Sequence, residues 1–313
     1  LSDTSGIAGL RIGHATDREA RTGCTVLLGP FRAAGHVAGF ATGTRELDSL
    51  SPMHIVPRID ALLLTGGSAF GLAAAEGVTA WLEERAQGFD TSAARVPIVP
   101  AAVIYDLGVG RADVRPGPAM GRAACDAARE GLPEEGAVGA GTGATAGKVR
   151  GREHASRGGF GCHIETQGDW RVLALAVVNP LGDVHDDDGI IAGARADDGT
   201  WADAAQVIRQ ATIPGFGRAA RPEAQVAPGT NTTLAVVVTD APLAKDALGM
   251  LARMSSAALA RRITPVFTPF DGDMIFALST SPEPAPVPPG ALLALGTAAV
   301  AALEQAIVRA VRA

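Results

Sequence analysis

Gly229-Thr230-Asn231-Thr232-Thr233-Leu234-Ala235-Val236-Val237-Val238 joins a polar turn to a strongly apolar run. The run Thr232–Thr239 is rich in β-branched and aliphatic residues, which predicts a strand buried on both faces. A hydroxyl residue stands at its first position, behind a loop marked by Gly and Pro. The ordinary reading is a turn followed by a β-branched strand start. The chemical reading is a self-cleavage site. If the bond between Asn231 and Thr232 breaks, Thr232 gains a free α-amine beside its own hydroxyl, and one residue supplies nucleophile and base.

Outward from this strand, elements alternate without a strict βαβ rhythm. Upstream, Ile7–His14, Thr25–Leu28, Val37–Ala41, Ala61–Leu64, Val96–Ile104 and Trp170–Asn179 read as strands. Gly66-Gly67-Ser68 opens a predicted helix to about Arg85, with Ser68 as N-cap. Gly117–Glu130 is a second helix. Residues 181–228 form a polar excursion with a short helix near Ala204–Gln210. Downstream, Asp240-Ala241-Pro242 is expected to cap a helix carrying Leu243, Ala247, Leu251, Met254 and Ala258. Thr264–Thr268 and Met274–Leu278 read as strands joined hairpin-fashion through Phe270-Asp271-Gly272-Asp273. A Pro-rich linker, Ser281–Gly290, precedes a final helix over 291–312. The pattern reads as layered α+β. The last 82 residues (313 − 231) are too few for a core of their own. They must interleave with the rest, so 1–313 is expected as one domain even if cut into 1–231 and 232–313.

Composition narrows the function classes. Net charge is −6, with no basic run interleaved with aromatics, which argues against nucleic-acid binding. The longest apolar run, Gly290 to Leu303, stops short of the ~18 residues of a membrane span. Cys24, Cys125 and Cys162 are odd in number and widely spaced, which suits a reducing, cytoplasmic setting.

Several motifs compete for chemical roles. Asp271 and Asp273 flank a glycine, as in a turn, but also as in a carboxylate pair whose charges push their pKa values apart. Lys148 closes the glycine-rich run from Gly139. That run lacks the first Gly and the Ser/Thr of a phosphate loop, and its dinucleotide fingerprint has no strand before it. Asn179 ends an apolar strand before Pro180 and could aim an amide N–H into a site. Ser68 lacks the Gly-x-Ser-x-Gly frame of a serine hydrolase. The six histidines show no metal-ligand spacing. Asp183-Val184-His185-Asp186-Asp187-Asp188 reads as a solvated loop.

These positions together resemble the N-terminal-nucleophile peptidase family of D-aminopeptidases/esterases and β-peptidyl aminopeptidases. Its nylon-oligomer (6-aminohexanoate oligomer) endohydrolase branch is the nearest match. The resemblance runs from Gly6-Ile-Ala-Gly-Leu-Arg-Ile-Gly-His14 through Leu64-Thr-Gly-Gly-Ser-Ala-Phe-Gly-Leu72 to Asn231-Thr232 and Phe270-Asp-Gly-Asp273. It implies a four-layer αββα sandwich of Ntn-hydrolase type with its own connectivity. It also implies one self-cleavage, a homo-oligomer (a tetramer of two-chain units), an amide or small-peptide substrate, and no metal or cofactor.

By the resemblance, Thr232 is the nucleophile and Asn179 the oxyanion amide. Lys148 is a buried Lys whose charge lowers the pKa of the new amine. Asp271 and Asp273 accept hydrogen bonds from Thr232 and Lys148, and Tyr105 lines the substrate cleft. Thr at the nucleophile together with Asp-Gly-Asp is similar to the nylon-oligomer branch. Aminopeptidase relatives commonly carry Ser there, and they need an anion for the substrate ammonium, for which Asp106 is the only carboxylate beside Tyr105. An acyltransferase using the same Thr, or a non-catalytic metabolite-binding protein, are the readings from other classes.

Overall fold

The computed structural model describes residues 6–210 and 230–313. The end of the polar excursion, 211–229, and with it the start of the 229–238 stretch, lies outside the described residues. Helices are numbered in chain order: α1 Ala74–Glu83, α2 Pro118–Ala127, α3 Ala204–Gln210, α4 Lys245–Arg262 and α5 Pro289–Arg312.

Among the described residues, nine strands form one sheet folded into two facing layers, eight of them in a single hydrogen-bonded path. The order is Gly159–Gln167, Trp170–Asn179, Thr232–Thr239, Met274–Ser279, Thr22–Val37, Ile59–Thr65, Ala101–Val103 and Thr44–Arg45, with Arg11–Asp17 also on Thr22–Val37. Where the sequence suggests two short strands, Thr25–Leu28 and Val37–Ala41, the chain makes one strand of 16 residues, Thr22–Val37. Its first half pairs with Arg11–Asp17 and Ile59–Thr65, and its second half with Met274–Ser279. The register breaks between Leu28 and Phe31, so one strand serves both layers.

Side-chain alternation assigns the layers. Leu173, Leu175, Val177, Leu234, Val236 and Val238 meet Leu27, Leu62 and Leu64 in the core between the sheets. Their neighbours Ala174, Ala176, Ala235 and Val237 face α4 and α5. On the other side, Val26, Ala61 and Leu63 face α1 and α2. The result is helix, sheet, sheet, helix: the αββα sandwich the resemblance implies. Each fully buried Val or Leu of these strands contributes on the order of 1.5–3 kcal/mol. The small residues serve close approach. A Cβ on Gly161 would lie 2.1 Å from the Ala306 carbonyl, so α5 can settle on its strand only over glycine.

Several local expectations need correction. Gly67 rather than Ser68 precedes the first helical turn, and that turn is a 3₁₀ segment, Ser68–Ala73; Ser68 makes no side-chain cap bond. Its backbone is left-handed (φ 53°), which takes the hydroxyl away from a capping position. Asp240 does not cap α4; it accepts the Arg171 N–H at 2.9 Å, and α4 starts at Lys245.

Ile263–Thr264 and Met274–Ser279 form no hairpin. The former pairs with Asp183–His185, while the latter lies parallel to Thr232–Thr239 after the α4 crossover. The Asp183–Asp188 loop is not simply solvated. Asp183 is buried and accepts the Ala194 and Ala204 N–H groups, and Asp187 and Asp186 pair with Arg262 and Arg312. The final helix is longer than its apolar run: α5 has the length and hydropathy to cross a bilayer, yet packs one face on the sheet. Its Glu304, where the run breaks, is held by Arg262 at 2.8 Å.

Candidate active site

Three strand ends create the site. Thr232–Thr239 and Met274–Ser279 are parallel neighbours, so their starts lie side by side, and Asn231 bridges to Asp271. Trp170–Asn179 is antiparallel on the other flank, with Asn179 directly opposite Thr232. Register alone therefore brings Asn179, Thr232 and the Asp271–Asp273 loop together. All of them are buried.

The Thr232 hydroxyl turns back on its own preceding residue and donates to the Asn231 carbonyl at 2.5 Å. The same carbonyl accepts the Gly272 N–H at 2.8 Å. A Cβ at Gly272 would stand 2.7 Å from the Ala41 carbonyl and 2.8 Å from Thr232 Oγ1, so only glycine brings that N–H so close. The loop is clasped from outside: Ala38 and Gly39 donate to the Asp273 carbonyl, and Phe40 and Ala41 to the Asp271 carbonyl. The sequence suggested a strand for these residues; their bonds hold the site loop instead.

Lys148 is buried. It follows Gly147, whose left-handed backbone (φ 74°) and closeness to Ala194 N exclude a side chain. Its Nζ donates to the Thr145 carbonyl at 2.6 Å, the Asn179 carbonyl at 3.0 Å and Asn179 Oδ1 at 3.1 Å. Burial lowers its pKa to about 7, against the opposing pull of Asp271.

The folded-state pKa of Lys148 is thus lowered. Below about 7, folded and unfolded chains both carry the proton; between about 7 and 10.5 the unfolded chain carries more. The contribution of Lys148 to stability therefore rises with pH in that window, by up to about 1.4 kcal/mol per pH unit. Urea unfolding at pH 7 and pH 9 should show this gain in the native protein and not in Lys148→Met; equal gains in both would remove Lys148 as its source.

Two donors on Asn179 Oδ1, the Thr145 N–H at 3.0 Å and Lys148, orient the amide. Its NH₂ faces the Tyr105 and Thr230 carbonyls at 3.4 and 3.5 Å, distances too long to engage it fully.

The carboxylates depart from expectation. Asp273 accepts Thr233 N–H at 2.6 Å and Phe267 N–H at 3.2 Å. Asp271 accepts Leu181 N–H, Thr268 N–H and the Thr268 hydroxyl. Neither accepts a hydrogen bond from Thr232 Oγ1 or Lys148 Nζ. Backbone donors claim the oxygens because the strand starts and the 267–273 loop present unpaired N–H groups there. Burial holds both carboxyls above the ordinary range, and Asp271 pushes Asp273 further. The pair remains within electrostatic reach of Lys148.

Tyr105 reaches the site through its carbonyl, while its half-buried ring lies 5.2 Å from the Arg152 guanidinium. Asp106 is turned away: Thr22 Oγ1 and Gly67 N–H hold its oxygens at 2.7 Å each. It braces the Gly66-Gly67 turn, where a Cβ on Gly66 would meet it at 2.1 Å. Thr145, Arg152 and Gly272 are site residues that sequence reasoning missed. Only Gly272 carried a signal, as the residue between the two acids.

The four-layer αββα sandwich, with a threonine opening one of its central strands, has the architecture of the Ntn-hydrolase fold. The chain belongs to peptidase family S58, whose model matches residues 3–313, and is an amide-bond hydrolase. It is 38% identical to an uncharacterized aminopeptidase of Mycobacterium tuberculosis, over 99% of this chain and 92% of that one. It is 32% identical to a 6-aminohexanoate-oligomer endohydrolase of Agromyces sp., over 90% of this chain and 76% of that one. A Burkholderia sp. beta-aminopeptidase superposes with a TM-score of 0.68 at 22% identity, over 99% of this chain and 86% of that one. An L-aminopeptidase D-Ala-esterase/amidase from Ochrobactrum anthropi, described as a variant of the Ntn hydrolase fold, superposes at 0.71 with 19% identity, over 99% and 87%.

Proposed function

We propose that the chain cuts itself between Asn231 and Thr232, and that the freed Thr232 hydrolyses internal amide bonds of short linear oligomers of the 6-aminohexanoate type. One observation carries this reading: the Thr232 hydroxyl lies 2.5 Å from the Asn231 carbonyl oxygen while Gly272 N–H holds that oxygen at 2.8 Å. A donor is already in place where negative charge would develop.

In the uncut chain, Thr232 Oγ attacks the Asn231 carbonyl carbon, and the C–N bond gives way to an ester as the proton passes to the new amine. Water then splits the ester, leaving Asn231 with a carboxylate and Thr232 with hydroxyl and amine. In turnover the amine takes the Thr232 hydroxyl proton, and Oγ attacks the substrate amide. Asn179 Nδ2 stabilises the oxyanion. The leaving amine departs with the proton, and water clears the acyl-enzyme. Lys148, with its pKa near 7, is only partly charged at neutral pH, so it tunes the Thr232 amine less strongly than a fixed cation. Asp273 acts through the backbone, anchoring Thr233 N–H and so the strand start.

The aminopeptidase alternative requires an anion for the substrate ammonium. Asp106 has both oxygens occupied, and the charge beside Tyr105 is the Arg152 cation. These observations favour substrates whose amine is already acylated. N-acetyl-6-aminohexanoyl-p-nitroanilide should be hydrolysed at least as fast as its free-amine counterpart. A strict requirement for the free amine would reverse the preference in favour of the aminopeptidase. Intact mass and N-terminal sequencing test self-cleavage directly, through a second terminus reading Thr-Thr-Leu-Ala-Val.

A further inference from the structure

A cavity of ≈150 Å³ opens beside the glycine-rich segment 139–148. Arg18, Arg21, Thr142, Ala144, Arg157 and Gly158 line it. Arg18 and Arg157 are exposed and Arg21 is half-buried, so three like charges border one small cavity, where a bound anion would offset them. Several other arginines pair with carboxylates: Arg122 with Glu84, Arg262 with Glu304, Arg309 with Glu135. The side chains of Arg18, Arg21 and Arg157 make no hydrogen bond or ion pair with any described residue.

The acids nearby are engaged elsewhere. Asp17 accepts the Ala20 N–H, Glu19 lies 3.9 Å from Arg111, and Asp106 is held by Thr22 and Gly67.

Arg21 also has a left-handed backbone (φ 55°), a conformation that glycine adopts without strain. Its carbonyl packs over Gly143, where a Cβ would stand 2.2 Å away, so the main chain there is pinned. A long cationic side chain on such a backbone points to a use for the guanidinium.

We propose that this cavity binds a small oxyanion, a carboxylate or a phosphate, through paired guanidinium N–H donors. Planar, delocalised guanidinium groups match both anions bidentately. The site does not depend on the catalytic reading. That reading bears only on the source of the anion: the carboxylate end of an amide oligomer, or free phosphate. The cavity wall at Ala144 continues into Thr145, whose N–H and carbonyl orient Asn179 and Lys148, so an occupant sits one residue from the active-site contacts.

Calorimetric titration at constant ionic strength, with inorganic phosphate in one arm and hexanoate in the other, tests the site. At least one arm should saturate at a single site, with Kd weakened by about ten-fold or more in Arg21→Gln and in Arg157→Gln. Circular dichroism identifies a variant that fails to fold, in which case the other carries the test. Saturation by phosphate alone assigns a free anion; saturation by hexanoate, displaced by phosphate, assigns the oligomer end. No saturable binding in either arm, or an affinity unchanged in the folded Arg variants, would overturn the proposal.

Discussion

Thr232→Ala is expected to run on a denaturing gel as one uncut chain and to show no amide hydrolysis. A chain of these 313 residues with Thr232 in place should separate into pieces of 231 and 82 residues, the lengths on either side of the Asn231–Thr232 bond (313 − 231 = 82). The substitution removes one hydroxyl and one methyl group at a position that stays buried, and leaves the Gly272 N–H on the Asn231 carbonyl. The fold should survive, because Ala keeps the ladder bonds opposite Asn179. Thr232→Ser is the companion. It keeps the nucleophile but loses the methyl that restricts χ1, so it should cut and turn over more slowly. A cleaved Thr232→Ala chain would falsify the assignment of Thr232 as the self-cleavage nucleophile.

Asn179→Ala should lower kcat by on the order of 10²-fold or more, the usual cost of removing one oxyanion donor. The expectation rests on orientation. Thr145 N–H and Lys148 hold Oδ1, so the two N–H donors face the Tyr105 and Thr230 carbonyls, with only long contacts to occupy them. Asn179→Asp separates the two functions of the side chain. It keeps an acceptor for Lys148 but loses the donor, and should be nearly as damaged as Asn179→Ala. If Asn179→Asp retained native turnover in assays of pre-cleaved enzyme, the side chain would serve Lys148 and not the oxyanion. Self-cleavage measured alongside shows whether the same amide also assists the first, intramolecular attack.

Both predictions concern residues visible in the sequence, and the reason is local. A β-branched run behind a polar turn announces a strand and its first residue, so Thr232 could be placed before any pairing was known. An apolar run ending in Asn-Pro marks a strand end in the same way, which placed Asn179. The glycine-rich loop marked a segment with little side-chain bulk, but whether its Lys148 met solvent or core is not a local property. Loop sequences say little about burial because what covers them comes from elsewhere in the chain. Arg152 was illegible for the same reason. Nothing in its neighbourhood announces that it lies across Gly108 and beside Tyr105.

The sequence by itself determined the alternation of the strands, the layered α+β class, and Thr232 as the hydroxyl residue at the start of a buried strand. These follow from side-chain size and polarity read along the chain, where neighbours in sequence are neighbours in space. The tertiary structure alone decided that Thr22–Val37 is one strand serving two sheets, that Asp271 and Asp273 spend their oxygens on backbone N–H groups, and that Gly272 holds the Asn231 carbonyl. Each of these depends on pairing between segments far apart in the chain. A donor or acceptor buried there binds whichever partner the register brings within reach, and register is set by the packing of the whole sandwich.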